Sequence, residues 1–202
     1  MKLKLIPAAV LYAVMVIPTA SQAADKLNVL CAADNDWCEV MRNAFEKETK
    51  VEVSMVRKSA GEIFAQIRAE ASNPKTDIWW AGTGDPHLQA AADGFTEVYK
   101  SPQFDKLQPW AQKQAEISGY RTVGIYAGLL GIGYNPEVLK QKKIAPPQCW
   151  KDLLNPALKG EVQIANPNSS GTAYATIATL VQLQGENEAF AFMKKMNDYF
   201  SP

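Results

Sequence analysis

The spacing of apolar residues along positions 27–55 predicts a strand, a helix and a second strand. Leu27–Ala32 is a compact apolar run, and positions 51–55 alternate apolar with polar residues, as half-buried strands do. Between these strands, apolar residues recur three and four positions apart, which is the spacing of one helical face. That face, on a helix ending near Glu48, comprises Trp37, Val40, Met41, Ala44 and Phe45.

Capping and turn signals extend the pattern to position 94. Ser59 and Glu62 form an S-x-x-E capping box, which predicts the start of a second helix. A third strand is predicted at 77–81, and the next helix opens at Pro86 and stops at Gly94. Strands that alternate with helices in this way predict an α/β fold with a largely parallel sheet. The core-facing residues of the capped helix are Ile63, Phe64 and Ile67.

Residues 121–134 change character, because four glycines are interspersed among apolar residues. Glycine inside a strand marks a bend or a close backbone approach, and the spacing here is not that of a GxGxxG nucleotide-binding loop. Asn135 and Pro136 then predict a helix N-cap and first helical position, and a strand is predicted at 161–165. Two further helices are predicted at 172–183 and 187–196. We therefore divide the chain into a first lobe at 24–122, crossing strands at 123–135, and an incomplete second lobe at 136–202.

The N-terminus predicts a secretory signal peptide over residues 1–23. Lys2 and Lys4 precede an apolar run that ends at Pro18, and Ser21 and Ala23 supply small residues for cleavage. The apolar run is shorter than the roughly 20 residues of a membrane-spanning helix, which argues against the alternative of a membrane anchor. No cysteine lies near the cleavage site, so a lipoprotein is not expected. We predict export to the periplasm.

The charge balance argues against nucleic acid as a partner. The sequence has 21 basic and 21 acidic residues, and no concentrated basic patch. We expect a monomer whose partners are a small molecule and another protein.

Three cysteines in an exported chain are read first as disulfide material. Cys31 and Cys38 bracket a short loop and form the natural pair, whereas Cys149 is left without a partner in the sequence. Metal binding is the rival interpretation, but one histidine and the absence of CxxC make it weak.

Four loops follow predicted strands or precede predicted helices, and we expect the ligand to lie there. In open α/β sheets, ligands bind beyond the carboxyl ends of the strands, where helix N-termini offer unpaired N–H groups to anions. The loop at 169–172 is the best candidate for a phosphate or carboxylate. The candidate residues are Asp34, Asn35 and Asp36, then Ser59, then Gly82, Thr83, Gly84 and Asp85, and finally Ser169, Ser170, Gly171 and Thr172, with Tyr126 at the crossing.

Each candidate has a plainer alternative. Serine, aspartate or asparagine before a helix caps it, and this role competes for Ser59 in particular. Asp34 and Asp36 could cap a helix, bind an amine or sugar hydroxyls, or repel an anion. We expect Trp79 and Trp80 to pack in the core, and His87 to be a surface or capping residue.

Catalysis is not expected. The single histidine has no evident partner set, and GxSxG and HExxH are absent. Asp34 and Asp36, two positions apart in a loop, are weak candidates for acid–base chemistry. No catalytic residue, metal site or cofactor is predicted.

Five segments carry a family resemblance, which covers the chain from about Lys26 onwards. They are NAFEKETKVEV, KTDIWWAGTGD, LLGIGYNPE, CWKDLLNPALKGEVQIANP and SSGTAYATIATLVQ. In these segments the chain resembles family-1 extracellular solute-binding proteins of ABC importers, of the ferric-ion-type cluster. The last two segments and the two early cysteines are most similar to the hexose-phosphate-binding branch.

The resemblance implies a periplasmic binding protein of type II architecture, with two lobes that close by a hinge around a solute and deliver it to an ABC permease. It also implies a chain truncated at its C-terminus, with the partner of Cys149 in the missing part. The expected solute is a phosphorylated sugar or a similar organophosphate. Ferric iron is the main alternative, with Asp34 and Asp36 as conceivable oxygen ligands; thiamine or a polyamine is another, and a periplasmic enzyme a more distant one.

Overall fold

The computed structural model describes residues 26–201. The predicted signal peptide lies outside the described residues. Residues 26–121, which we call the sheet half, contain a three-stranded sheet, and residues 136–201, the helical half, contain three α-helices. Residues 122–135 join the halves and have no assigned helix or strand. No helix within residues 26–201 is long and apolar enough to cross a membrane.

The sheet is parallel and has the strand order β2-β1-β3. The central strand β1 is an apolar run because it has a neighbour on both edges, and its residues Val29, Leu30 and Cys31 are buried. Leu30 pairs with Val56 on one side and with Trp79 on the other. The strands are β1 (Lys26–Cys31), β2 (Glu52–Arg57) and β3 (Ile78–Trp80).

Every strand is followed by a helix, which confirms the α/β alternation predicted from the sequence. The capping box that opens the second helix is present, because the Glu62 carboxylate accepts hydrogen bonds from the amide and the hydroxyl of Ser59. A fourth helix, which the sequence did not predict, starts at a proline. The helices of the sheet half are α1 (Asn35–Thr49), α2 (Ala60–Ala69), α3 (Gly84–Ala92) and α4 (Pro109–Ile117).

Helix α1 lies where it was predicted, and its apolar face is largely exposed. Val40 on this face is 65% accessible. Only Cys38 of this helix is buried. A spacing of 3.6 residues shows that a face is apolar, whereas burial requires a partner that covers it, and the described residues leave most of this face uncovered.

The helical half has its own apolar core. Leu180, Ala189, Phe192 and Met196 form one buried cluster where two helices pack together. The predicted cap at Asn135 is confirmed, because its side-chain oxygen accepts from the amides of residues 137 and 138. The helices are α5 (Pro136–Gln141), α6 (Gly171–Gln184) and α7 (Glu186–Met196).

Two predicted strand regions lack ladder pairing in the structure. The predicted crossing strands at 123–135 are extended but unpaired among residues 26–201. In the predicted strand at 161–165, pairing is limited to a parallel bridge from Val162 to Phe200. A β-strand is defined by its hydrogen bonds to a neighbouring strand, and the described chain places no strand beside these segments. Close approach is confirmed for one glycine of the crossing, since a Cβ on Gly124 would lie 2.5 Å from the Trp110 ring.

The disulfide predicted between Cys31 and Cys38 is present. It joins the last residue of β1 to the first turn of α1, and both cysteines are buried against Ala33 and Ala81. Cys149 is free and exposed. The disulfide therefore fixes the loop 32–37 at the carboxyl end of the central strand.

We expect Cys38→Ser to destabilise the protein. Closing a loop this short lowers the entropy of the unfolded chain by an amount worth roughly 2 to 3 kcal/mol. Urea unfolding, followed by circular dichroism without reductant, should show this loss. Cys149→Ser is the control and should leave the midpoint unchanged; equal effects of the two variants would contradict the assignment.

Candidate functional site

Three helix N-termini meet around the side chain of Ala60, a place that we call the junction. Ala60 is the first residue of α2, and its Cβ lies 3.2 Å from the Cβ positions that Gly82 and Gly171 would have as alanines. Gly82 precedes α3, and Gly171 is the first residue of α6. The junction thus joins two helices of the sheet half with one of the helical half.

A backbone hydrogen bond ties α2 to α6 across the junction. The amide of Gly61 donates to the carbonyl of Ser169 at 2.9 Å. First-turn amides of a helix have no acceptor within the helix, so Ser169 satisfies a donor that would otherwise need water or a ligand. The sequence identified Ser59 and Ser169 as separate candidates, and the structure brings their loops together.

The turn after β3 has an unusual backbone. Ala81 and Gly82 both have positive φ, +65° and +106°, and this left-handed conformation is costly for residues other than glycine. The hydroxyl of Tyr126 lies 3.2 Å from both the amide and the carbonyl of Gly82. Tyr126, predicted as either hinge packing or cleft lining, therefore ties the joining segment 122–135 to this turn.

Thr83 has an unpaired polar group at the junction. Its Oγ1 is buried without a hydrogen-bond partner, although Thr83 is the N-cap residue of α3. A buried hydroxyl left unpaired costs about 1–3 kcal/mol, so native structures seldom retain one without a function or a bound water. Oγ1 lies directly beside Gly171, at the meeting point of α3 and α6.

The serine hydroxyls have local partners. Ser59 donates to Glu62, and together with its amide this hydrogen bond lowers the pKa of the Glu62 carboxyl. Ser169 donates to the carbonyl of Asn166, and Ser170 accepts from the amide of Ala173 as the N-cap of α6. Ser59 and Ser170 thus have capping contacts. The amides of Gly171 and Thr172, in the first turn of α6, have no hydrogen-bond partner among the described residues.

The first loop approaches the junction through aromatic side chains. Asp34, Asn35 and Asp36 are exposed, and Asp34 makes no capping hydrogen bond although it is the N-cap residue of α1. The next residue, Trp37, packs edge-on against Tyr126 with ring centroids 5.6 Å apart. Asp85, in the first turn of α3, is exposed, and no described contact brings it to the junction.

Arg57 is a candidate site residue that was not predicted from the sequence. It is the last residue of β2, and its Nε–H donates to the carbonyl of Ala33 at 3.1 Å. The rest of the guanidinium fork keeps its N–H groups for other partners. Its position could have been found from the sequence, since the rule that ligands bind beyond the carboxyl ends of strands applies to β2 as well. The site therefore has a cation beside the loop of Asp34 and Asp36.

His87 is not the surface or capping residue predicted. Its ring stacks on Trp79 with centroids 3.8 Å apart, and Nε2 lies 3.0 Å from the carbonyl of Ala81. Because a carbonyl only accepts, Nε2 carries the proton. Burial lowers the pKa of His87, and the hydrogen bond to Ala81 opposes this effect. His87 thus acts as a neutral side chain that holds the strained turn before α3.

Two grooves border the junction, with volumes of about 550 and 710 Å³. The smaller lies on the helical half and reaches Ser170 and Thr172, and the larger lies on the sheet half and reaches Gly82 and Tyr126. Both walls are mainly apolar, with side chains such as Leu130, Ile132, Trp79 and Trp80. We place the candidate site at the junction because the helix N-termini supply polar groups there, with Arg57 beside the neighbouring loop after β1.

Within residues 26–201, no group of three or more His, Cys, Asp or Glu side chains is placed to hold a metal ion. Asp34 and Asp36 therefore have no third ligand of these types among the described residues. The donors gathered at the junction, which are backbone amides and a hydroxyl, suit an anion better than a cation.

Comparison with known proteins identifies the family. The model of the bacterial extracellular solute-binding protein family matches residues 73–202. The chain belongs to this family.

An uncharacterised protein of Haemophilus influenzae is 44% identical over 190 residues, which are 94% of this chain and 55% of that protein. A putative 2-aminoethylphosphonate-binding periplasmic protein of Salmonella paratyphi A is 26% identical over 168 residues, 81% of this chain and 45% of that protein. The chain thus spans about half the length of the curated relatives it matches.

Solved structures agree with this assignment. The periplasmic binding protein AfuA from Actinobacillus pleuropneumoniae, with exogenous fructose-6-phosphate bound, is 44% identical with a TM-score of 0.85, over 88% of this chain and 56% of that one. Iron-bound HitA from Pseudomonas aeruginosa is 19% identical with a TM-score of 0.66, over 88% of this chain and 55% of that one, and shows a shared fold. The fold class and the family predicted from the sequence, including the hexose-phosphate branch, are confirmed.

We expect the free energy of unfolding to decrease as the pH is lowered, because of His87. Its pKa is lower in the folded protein than its ordinary value of 6.5, so the unfolded chain binds the extra proton more readily. The contribution of His87 is complete above that value and is lost as the pH falls towards the folded pKa. Urea unfolding between about pH 7.5 and pH 5.5 should show the decline.

The matched variant is His87→Phe, which keeps a ring against Trp79 but cannot titrate. His87 is the only histidine of the sequence, so the difference between the two pH profiles isolates it. Parallel profiles for the wild type and the variant would show that His87 does not couple protonation to unfolding.

Proposed function

We propose that the chain belongs to a periplasmic solute-binding protein that captures a small organophosphate, with the phosphate bound beside the junction. The predicted candidates Ser170, Gly171 and Thr172 of α6, together with Thr83 and Gly84 of α3, would supply amides and hydroxyls. The bound solute would then be delivered, chemically unchanged, to an ABC permease.

One observation carries the proposal, namely the convergence of three helix N-termini on a buried hydroxyl that has no partner. Each N-terminus has a partial positive charge of about +0.5 elementary charge. The amides of Gly84, Gly171 and Thr172 have no hydrogen-bond partner among residues 26–201. A phosphate group offers several acceptor oxygens to these donors. It would also give the Oγ1 of Thr83 the hydrogen bond that it lacks.

The charged side chains offer two kinds of contact to a solute. Arg57 would pair with the anion, because a guanidinium fork matches phosphate geometry. Asp34 and Asp36 are exposed carboxylates, which repel an anion but accept hydrogen bonds from hydroxyl or amine groups. A solute that has both a phosphate and hydroxyl or amine groups fits both kinds of contact.

The relatives support this class of solute. AfuA is described with fructose-6-phosphate bound, and the Salmonella protein is named as a putative binder of 2-aminoethylphosphonate. Both compounds have a phosphoryl group and a neutral or amine-bearing body. Since the chain spans about half of those proteins, residues beyond this chain would complete the site.

Ferric iron is less well supported. The iron-bound relative HitA is 19% identical, so the likeness extends to the fold alone. The described residues 26–201 offer no cluster of three candidate metal ligands. Catalysis has less support still, because the ring of His87 is occupied by Trp79 and Ala81 and is therefore not free to act as a base.

We expect the full-length protein to bind fructose 6-phosphate in calorimetric titration, and Arg57→Ala to weaken that binding about 10- to 100-fold. A hydrogen bond to a charged group contributes roughly 1.5–3 kcal/mol, which corresponds to this range. Arg42→Ala, on α1, where the half-buried Arg42 donates to the neighbouring Asn43, is the control and should bind as the wild type does. Tight binding of ferric iron with no affinity for fructose 6-phosphate or 2-aminoethylphosphonate would overturn the proposal.

Thr83→Val gives a second test, in which stability and affinity should change in opposite directions. Valine has nearly the same shape but removes an unpaired buried hydroxyl, so the free protein should gain about 1 kcal/mol of stability. The affinity for fructose 6-phosphate should fall about tenfold, because the phosphate loses a donor. A variant that binds normally would exclude Thr83 from the site.

A further inference from the structure

Two glycines lie where the halves of the molecule touch, and the first is Gly61. A Cβ at this position would lie 2.5 Å from the carbonyl oxygen of Asn168 and 2.7 Å from that of Ser169. Both atoms belong to the backbone of the helical half, which cannot yield as a flexible side chain would. Gly61 therefore lets the first turn of α2 rest directly on the chain before α6.

The second is Gly171, at the first position of α6. A Cβ here would overlap the Oγ1 of Thr83 and approach the Cβ of Ala60 to 3.2 Å. Thr83 and Ala60 belong to the sheet half. In this second contact, a glycine of the helical half therefore packs against the sheet half. Each half thus contributes one glycine to the same contact surface.

Backbone conformation does not explain these two glycines. The glycines with positive φ are Gly82, Gly94, Gly119, Gly160 and Gly185, and neither contact glycine is among them. Both lie in the first turn of a helix, where alanine would be the better helix former by about 1 kcal/mol. Glycine suits these two positions because it leaves no side chain in the space between the halves.

We propose that Gly61 and Gly171, the contact glycines, set how closely the two halves approach, and that a methyl group at either position holds them apart. The N-termini of α2, α3 and α6 would then no longer meet, and the junction would lose its donor geometry. Gly61 would act without touching the solute, whereas the amide of Gly171 also belongs to the proposed phosphate site. The consequence for solute affinity rests on the proposed function, whereas the contact itself does not.

Hydrogen exchange of the Gly61 amide tests the contact without any ligand. This amide donates to Ser169 and has no acceptor within its own helix, so its protection reports the contact between the halves. In the full-length protein, we expect Gly171→Ala to speed its exchange at least about tenfold. Gly128→Ala is the matched control, because a Cβ there meets nothing within 4 Å.

A rescue separates steric contact from general damage. Thr83→Ala removes the Oγ1 that the new methyl group would strike, so the double variant Thr83→Ala with Gly171→Ala should regain slow exchange of the Gly61 amide. Equal exchange rates in the wild type and in Gly171→Ala would overturn the proposal. So would fast exchange in the double variant, because the overlap would then not be the cause.

Gly61→Ala connects the contact to binding. Its methyl group has no room against the backbone carbonyls of Asn168 and Ser169, so the affinity for fructose 6-phosphate should fall about tenfold or more, whereas Gly128→Ala should bind normally. Unchanged affinity in Gly61→Ala would contradict the role of the contact in binding. If the wild type binds no organophosphate, the proposed function fails, and hydrogen exchange still decides whether the contact glycines hold the halves together.

Discussion

Packing of three helix N-termini against the methyl group of Ala60 is the constraint on which the candidate site depends. Parallel strands present their carboxyl ends at one edge of the sheet, so α2 and α3 begin there side by side. Helix α6 reaches the same place from the helical half. Three like partial charges at one point repel one another, and an anion is the natural counter-charge. The architecture therefore favours a negatively charged ligand before any side chain is considered.

The surrounding interactions hold this arrangement in place. The disulfide from Cys31 to Cys38 fixes the loop after the central strand, and His87 holds the carbonyl of Ala81 in the left-handed turn after β3. Tyr126 ties the joining segment to Gly82. Many polar groups at this end of the sheet thus hold the backbone in position. First-turn amides, Thr83 and Arg57 remain for the proposed contacts with a solute.

Local signals in the sequence were sufficient for the three paired strands, for six of the seven α-helices within residues 26–201, and for the loops that meet at the junction. Strand spacing, the capping box at Ser59 and the cap at Asn135 each depend on a few neighbouring residues, and the structure has them as predicted. The two early cysteines were correctly paired for the same reason. Knowing that ligands bind beyond the carboxyl ends of strands was enough to identify the loops that meet at the junction.

Features that depend on distant parts of the chain could not be predicted. The apolar face of α1 is apolar as expected but exposed, because periodicity does not say which partner covers a face. Segments 123–135 and 161–165 have strand-like sequences without strand neighbours among residues 26–201. The packing of His87 on Trp79, and of Gly61 on Ser169, joins residues whose proximity exists only in the folded chain.

Native mass spectrometry of the full-length protein, purified from its own host without refolding, would identify the solute that the protein carries. We expect a bound species with the mass of a small phosphate ester or phosphonate, released unchanged on denaturation. A protein that carries ferric iron instead, or that releases a chemically altered product from an added organophosphate, would contradict this expectation.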